Sequence, residues 1–344
     1  MPQPRKHLIS LEATPVYHVV SRCVRKQYLC GFDSKQEKDY SYRRDWIRER
    51  IFELNAIFAI DICSYCVMSN HVHLVLHVQQ SRALEWDDRE VARRWMALFG
   101  GNPLVRSFLS NEDLSPAQRK AASSLISEYR TRLFDISWFM RCLNEPIARK
   151  ANAEEKVTGR FWEGRFKSQA LLDEAAVIAA MAYVDLNPIR AGIAELPEES
   201  DYTSIQQRIL EKVSTATETS SESLDKLPKD LRAAIGKLMP FADRAPDHPE
   251  YAIQYQTQDY LELVDWSGRA IIQGKRGSIP DHSPPILQRL KIDPDHYLRF
   301  INRTQKNRFH SFIGTVKAMR TQAHRFGRLF LKGQTAAAQL FNSG

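Results

Sequence analysis

Two histidines one residue apart, His71 and His73, stand in the run MSNHVHLVLHV at 68–78. The run is apolar and β-branched, and on a strand alternate residues share a face, so both imidazoles point one way at about 7 Å between Cα atoms. At that spacing two ring nitrogens can meet one divalent ion. Imidazole is costly to bury alone, so neighbouring polar groups that satisfy both rings are the other reading of the same pattern. His77 has the same parity but lies about 13 Å further on, too far to share that ion.

A second pair sits more than a hundred residues later. The segment EAAVIAAMAYVDL, 174–186, is apolar nearly all round, which describes a helix buried on most sides. Tyr183 and Asn187 are four residues apart and so stack on one face of it. A phenol above an amide suits a face that meets polar chemistry. A core tyrosine bonded to backbone, with Asn187 as a C-terminal cap before Pro188, is the alternative.

These residues must be carried by strands and helices in a definite order. Residues 17–23, YHVVSRC, read as a first strand, and 36–55 place Tyr42, Trp46, Ile47, Ile51 and Leu54 at helical spacing. The β-rich run from 56 to 78 breaks at Ser69-Asn70, giving two strands and a tight turn. Strand, helix, strand, strand predicts an α+β fold, an antiparallel sheet with helices packed on one face. Residues 85–135 read as a polar helical insertion broken at Gly100–Pro103, and 136–152 as an amphipathic helix that Pro146 can interrupt. GRFWEGRFKSQALL, 159–172, reads as a basic and aromatic strand, with Asp173 as the N-cap of the helix that follows.

The polar stretch STATETSSES, 214–223, marks a boundary. The expected organisation is a first domain over 1–210, a linker over 211–228, and a mainly helical basic region over 229–344. Within the latter, 298–332 holds nine Lys or Arg and no acid.

The chain has 344 residues and a formal charge of +8, which suits a polyanionic partner. Five cysteines form an odd set and no signal-peptide or membrane-span pattern occurs, so the expectation is a cytoplasmic protein with reduced thiols and no membrane partner. Cys63 and Cys66 lie in a strand-like run with no second CxxC, so packed thiols are preferred to a zinc knuckle.

In this order, YHVVSRC, HVH, RFWEGRFKS and AYVDLNPIRAG resemble the single-tyrosine HUH transposases, especially the REP-associated tyrosine transposases of bacteria. The resemblance spans roughly 14–205 and is silent over 85–135 and beyond 210. It implies a ferredoxin-like HUH endonuclease core. By the same resemblance His71 and His73 bind a divalent metal, Mg²⁺ or Mn²⁺, Tyr183 is the nucleophile, and Asn187 completes the metal site. The family often has Pro where this chain has Ser69, which alters the turn and not the ligands. The implied activity is nicking and joining of single-stranded, hairpin-forming DNA through a 5′-phosphotyrosine, by a monomer more often than a dimer.

Around that centre Arg160, Arg165 and Lys167 are candidates for phosphate contact, and Trp162 for base stacking or core packing. Glu163 is expected to pair with Arg165, and His18 to be a structural neighbour of the site without a catalytic role. Arg303, Lys306, Arg308, Arg320, Arg325 and Arg328 are the expected hairpin-binding cations of the C-terminal region. Two further readings remain: a domesticated DNA-binding protein that keeps the fold without transposing, and an unrelated histidine-site hydrolase that uses water and gives Tyr183 no role.

Overall fold

The computed structural model describes residues 8–24, 29–33, 37–213, 236–245, 247–272, 287–288, 290–302 and 309–341. Its centre is a five-stranded sheet. The strands are β1 (Val16–Arg22), β4 (Ile60–Val67), β5 (His71–Val78), β6 (Lys167–Leu171) and β7 (Phe312–Ile313), in the order β4-β5-β1-β6-β7. All pairs are antiparallel except β6 with β7, which is parallel. A short hairpin, β2 (Phe32–Asp33) with β3 (Lys38–Asp39), lies apart. The turn at Ser69-Asn70 is closed by the Met68 N–H donating to the His71 carbonyl at 2.9 Å.

Helices cover both faces of the sheet rather than one. The reason is in β1 and β5: their buried positions run through both parities, so neither face can be left to water. On one face lie α1 (Arg43–Ile57) and, after α2 (Gln80–Glu85), α3 (Asp88–Phe99), α4 (Pro103–Leu109) and α5 (Pro116–Arg132), the long α6 (Ile136–Glu155). Phe52 of α1 meets Tyr65 edge-on at 5.4 Å, and Asn144 of α6 donates to Ser21 Oγ at 2.8 Å. On the other face lies α7 (Glu174–Asp185), continued past Leu186 by α8 (Asn187–Arg190) and followed by α9 (Ser204–Val213).

Local chemistry explains where the elements begin and end. Asp173 caps α7 by accepting from the Ala176 N–H at 3.0 Å. Gly100 ends α3 at φ +63°, a conformation open to glycine without strain. Pro146 does not interrupt α6. A proline there removes the bond to the carbonyl four residues back, and the Cys142 carbonyl instead accepts from Arg50 Nε at 3.0 Å. Of the expected strand over 159–172, only 167–171 forms one, while Trp162 bridges to Cys23. Cys63 and Cys66 are both buried as free thiols, and a bulge between Ile62 and Ser64 separates their positions in β4.

Beyond residue 236 the chain packs into the same hydrophobic core as the sheet. Met239 N–H donates to the Ile62 carbonyl at 2.9 Å, β7 extends the sheet, and the helix Thr257–Ile272 reaches α7 through Tyr260. Most of the expected linker, 214–228, lies outside the described residues. Among the described residues no helix is long and apolar enough to cross a membrane.

Candidate active site

Sheet register assembles the histidines. Val20 stands opposite His73, His18 opposite Val75, and Gln169 opposite His18. Directly paired residues share a face, so His18, His71, His73 and Gln169 all project toward α7. His73 is 1% exposed, and its Nδ1 lies 2.9 Å from His18 Nε2, the two rings near-parallel with 5.1 Å between centroids. His18 Nδ1 lies 3.1 Å from Gln169 Oε1. The His71 ring meets that of His73 edge-on at 4.7 Å, and its Nδ1 is 2.6 Å from Asn70 Oδ1. His77, at the far end of β5, bonds Gln79 Nε2 at 2.9 Å.

From the opposite side α7 delivers Tyr183. The alanines at 175, 176, 179, 180 and 182 let the helix lie close to the sheet. The Tyr183 ring, 3% exposed, stands edge-on to His73 at 5.9 Å and to His18 at 6.0 Å. Phe300, from the helix Pro294–Asn302, meets it at 5.8 Å.

The α7–α8 joint supplies the rest. Asn187 Nδ2 donates to the Tyr183 and Val184 carbonyls at 3.1 and 3.2 Å, and its Oδ1 accepts from Arg190 Nη1 at 3.3 Å. The amide thus closes the helix end, and its oxygen faces Arg190. The Arg190 guanidinium lies over the Tyr183 ring, 4.4 Å from its centroid. Burial pushes its pKa down to about 10, still high enough to keep it cationic at neutral pH. Arg190 joins the candidate site without a motif to single it out, although it follows Tyr183 by seven residues, the spacing of two helical turns on one face.

Among the described residues no group of three or more His, Cys, Asp or Glu is arranged to hold a metal ion. The donors on offer for a divalent ion are two imidazoles on one face and an amide. Each imidazole has its Nδ1 engaged, by Asn70 or by His18, which turns the Nε2 edge into the donor edge. Metal-binding histidines ordinarily have their other nitrogen held in this way, so the imidazoles fit the group.

The other predicted residues fall in three sets. Arg160, Arg165 and Lys167 are exposed around the approach to β6, beside a half-buried Trp162. Trp162 is anchored, since its Nε1 donates to the Asn144 carbonyl at 2.9 Å and its ring stands edge-on to Phe161. Glu163 lies 3.9 Å from Arg22, brought there by the Cys23–Trp162 bridge, so Arg22 is an ion partner in place of the expected pairing with Arg165 alone. Arg22 is also directly opposite His71 in register. Arg320 and Arg325, on the helix Val316–Arg325, and Arg328 just beyond it are exposed. Arg303, Lys306 and Arg308 lie outside the described residues.

No protein-family model matches this chain, and no curated protein does. Among solved structures it is similar to one described as "Structure of the REP associates tyrosine transposase bound to a REP hairpin". That likeness covers 65% of this chain and 96% of the other, at 11% sequence identity and a TM-score of 0.36.

Proposed function

We propose that this protein nicks and joins single-stranded, hairpin-forming DNA, with Tyr183 as the nucleophile. The observation that carries the reading is the meeting of the buried Tyr183 ring with His73, whose ring in turn meets that of His71, three residues that match the HUH transposase motifs. A divalent ion, Mg²⁺ or Mn²⁺, held by His71 and His73 with Asn187 as a third donor, would polarise the scissile phosphate and offset charge on its oxygens.

A phenol with a pKa near 10 is a weak nucleophile at neutral pH and needs help to shed its proton. Arg190, fixed over the ring, adds a cation for the incoming phosphate. In the reaction Tyr183 Oη bonds to phosphorus while the bond from phosphorus to the 3′ oxygen breaks. The phenol loses a proton and the departing oxygen gains one. The products are a 5′-phosphotyrosine and a free 3′ hydroxyl. Attack by a different 3′ hydroxyl reverses the step and joins strands, so no nucleotide triphosphate is consumed. Arg160, Arg165 and Lys167, all exposed, would pair with backbone phosphates. With its indole N–H committed to Asn144, Trp162 can offer bases only an aromatic face.

The test is a labelled single-stranded hairpin oligonucleotide incubated with the full chain and Mn²⁺ or Mg²⁺. A denaturation-resistant adduct is expected, lost in Tyr183→Phe while hairpin binding is kept. Hydrolysis without any adduct would point to water as the nucleophile. Binding with neither product, across substrates from the protein's own genomic flanks, would leave a DNA-binding protein without the chemistry.

A further inference from the structure

We propose that Gln169 and His18 are positioning residues that fix which ring nitrogen of His73 carries its proton, and that the C-terminal region sets the direction of this relay. The catalytic consequence rests on the nuclease reading above; the relay itself does not.

The chain of bonds has one self-consistent direction. Gln169 Nε2 lies 2.6 Å from the His310 carbonyl, which can only accept, so that end of the amide is the donor. Its oxygen therefore faces His18 Nδ1 at 3.1 Å, and His18 must carry a proton there. A neutral imidazole protonated at Nδ1 has its lone pair at Nε2. That nitrogen lies 2.9 Å from His73 Nδ1, so His73 donates from Nδ1 and keeps its lone pair at Nε2. Three bonds in series thus convert the orientation of one amide into the tautomer of a buried imidazole.

His71 reaches the same state by a shorter route. Its Nδ1 lies 2.6 Å from Asn70 Oδ1, an acceptor, so its lone pair is also at Nε2. Both histidines then present the same edge to an electrophile. The asymmetry is in control. The His71 arrangement is local to one turn, whereas that of His73 depends on a carbonyl more than a hundred residues away in sequence.

That carbonyl is delivered by strand pairing. His310 immediately precedes the segment in which Ala170 N–H donates to the Ser311 carbonyl and Leu172 N–H to the Ile313 carbonyl, both at 2.8 Å. The parallel addition of β7 to β6 is what holds the His310 carbonyl against Gln169. Docking of the C-terminal region and the donor state of His73 are therefore linked through Gln169.

The experiment reads the tautomers directly. Long-range proton–nitrogen NMR on the ¹⁵N-labelled full chain, without metal or DNA and at about pH 8, above the ordinary imidazole range, reports which nitrogen is protonated. The wild type is expected to show His18 and His73 both protonated at Nδ1. Gln169→Leu removes the acceptor and should spread both rings between tautomers. Gln169→Lys puts a donor against His18 Nδ1 and should reverse both. A merely structural role for Gln169 would not make Leu and Lys differ in this way. With Mn²⁺ and hairpin DNA, Gln169→Leu should form adduct about 10- to 100-fold more slowly, with DNA binding unchanged. A wild-type His73 protonated at Nε2, or wild-type tautomers in both variants, overturns the relay. Redistributed tautomers with an unchanged adduct rate overturn its catalytic role. A wild type that forms no adduct overturns the nuclease reading alone, since the NMR result is obtained without substrate.

Discussion

Helix α7 carries two polar side chains two residues apart, and their surroundings differ in kind. Tyr183 meets two imidazoles, a phenylalanine and a guanidinium through ring contacts. Asp185, about 200° round the helix, lies within a closed set of donors. Its Oδ1 accepts from the Ile205 N–H at 3.1 Å, from Ser64 Oγ at 3.3 Å and from Ser204 Oγ, and its Oδ2 accepts from the Tyr260 hydroxyl. These donors come from β4, from α9 and its start, and from the C-terminal helix Thr257–Ile272, so one carboxyl ties three parts of the chain together. Burial is nearly the same for both residues, 3% and 0% exposed. What separates a site from a clamp here is whether the buried group's hydrogen-bonding capacity is spent on fixed protein donors or its ring is set among groups that can hold ions and protons.

The largest expected effect is at the site. Tyr183→Phe should lower adduct formation by at least about a thousandfold, because it removes the oxygen that bonds to phosphorus in the proposed reaction. The same change should lower the unfolding free energy, read from urea titration, by no more than about 1 kcal/mol, since it removes one hydroxyl and no packing. A large loss of stability would erase the contrast, making Tyr183 part of the core scaffold.

Asp185→Ala should do the reverse. It leaves four donors without their acceptor and should destabilise the fold by about 3–5 kcal/mol, read from urea unfolding. Adduct formation per folded molecule should stay within about twofold, since Asp185 touches none of the site residues named above. A loss below about 1 kcal/mol would show that the C-terminal region is held by its apolar contacts alone.

Sequence alone brings out most residues of the candidate site and misses the clamp, for reasons that lie in the residues. His71 and His73 are local to one strand, and Tyr183 and Asn187 to one helix, so periodicity finds each pair and the motif order joins them. The hairpin at Ser69-Asn70 and the cap at Asp173 are equally local signals. In sequence Asp185 looks like one more residue of the apolar helix, because its partners, Ser64, Ser204 and Tyr260, are scattered over almost two hundred positions. Nothing in the sequence marks His18 and Gln169 as members of a bonded chain, because only the pairing of β5, β1 and β6 makes them neighbours. Helices on both sheet faces were also unforeseen. The buried face opposite the histidines is read from β1 and β5 together, and a single strand with alternating polarity looks one-sided.

The smallest effect is the most diagnostic of the clamp. Burial, the main cause, raises the Asp185 carboxyl from 3.8 to about 6, against the pull of its hydrogen bonds from Ser204 and Tyr260 and of the nearby Arg208 cation. The folded state therefore holds this proton at pH values where the unfolded chain has released it. The group's contribution is present in full below about pH 4, the unfolded value, and is lost as pH rises through about 6. The total is about 3 kcal/mol, from a shift of roughly two units. Asp185→Asn keeps an acceptor oxygen toward Ser64, Ser204 and Ile205 but cannot ionise, so it should lack this slope. Unfolding free energies of wild type and Asp185→Asn, measured between pH 4 and 7.5, should diverge as pH rises, with wild type losing ground and most of the change between about pH 4 and 6. Parallel curves would mean that the carboxyl ionises equally well folded and unfolded, and that its four donors solvate the charge as water does. In that case the clamp would resemble an ordinary buried carboxylate, and only the distribution of its partners would still set it apart from the tyrosine two residues away.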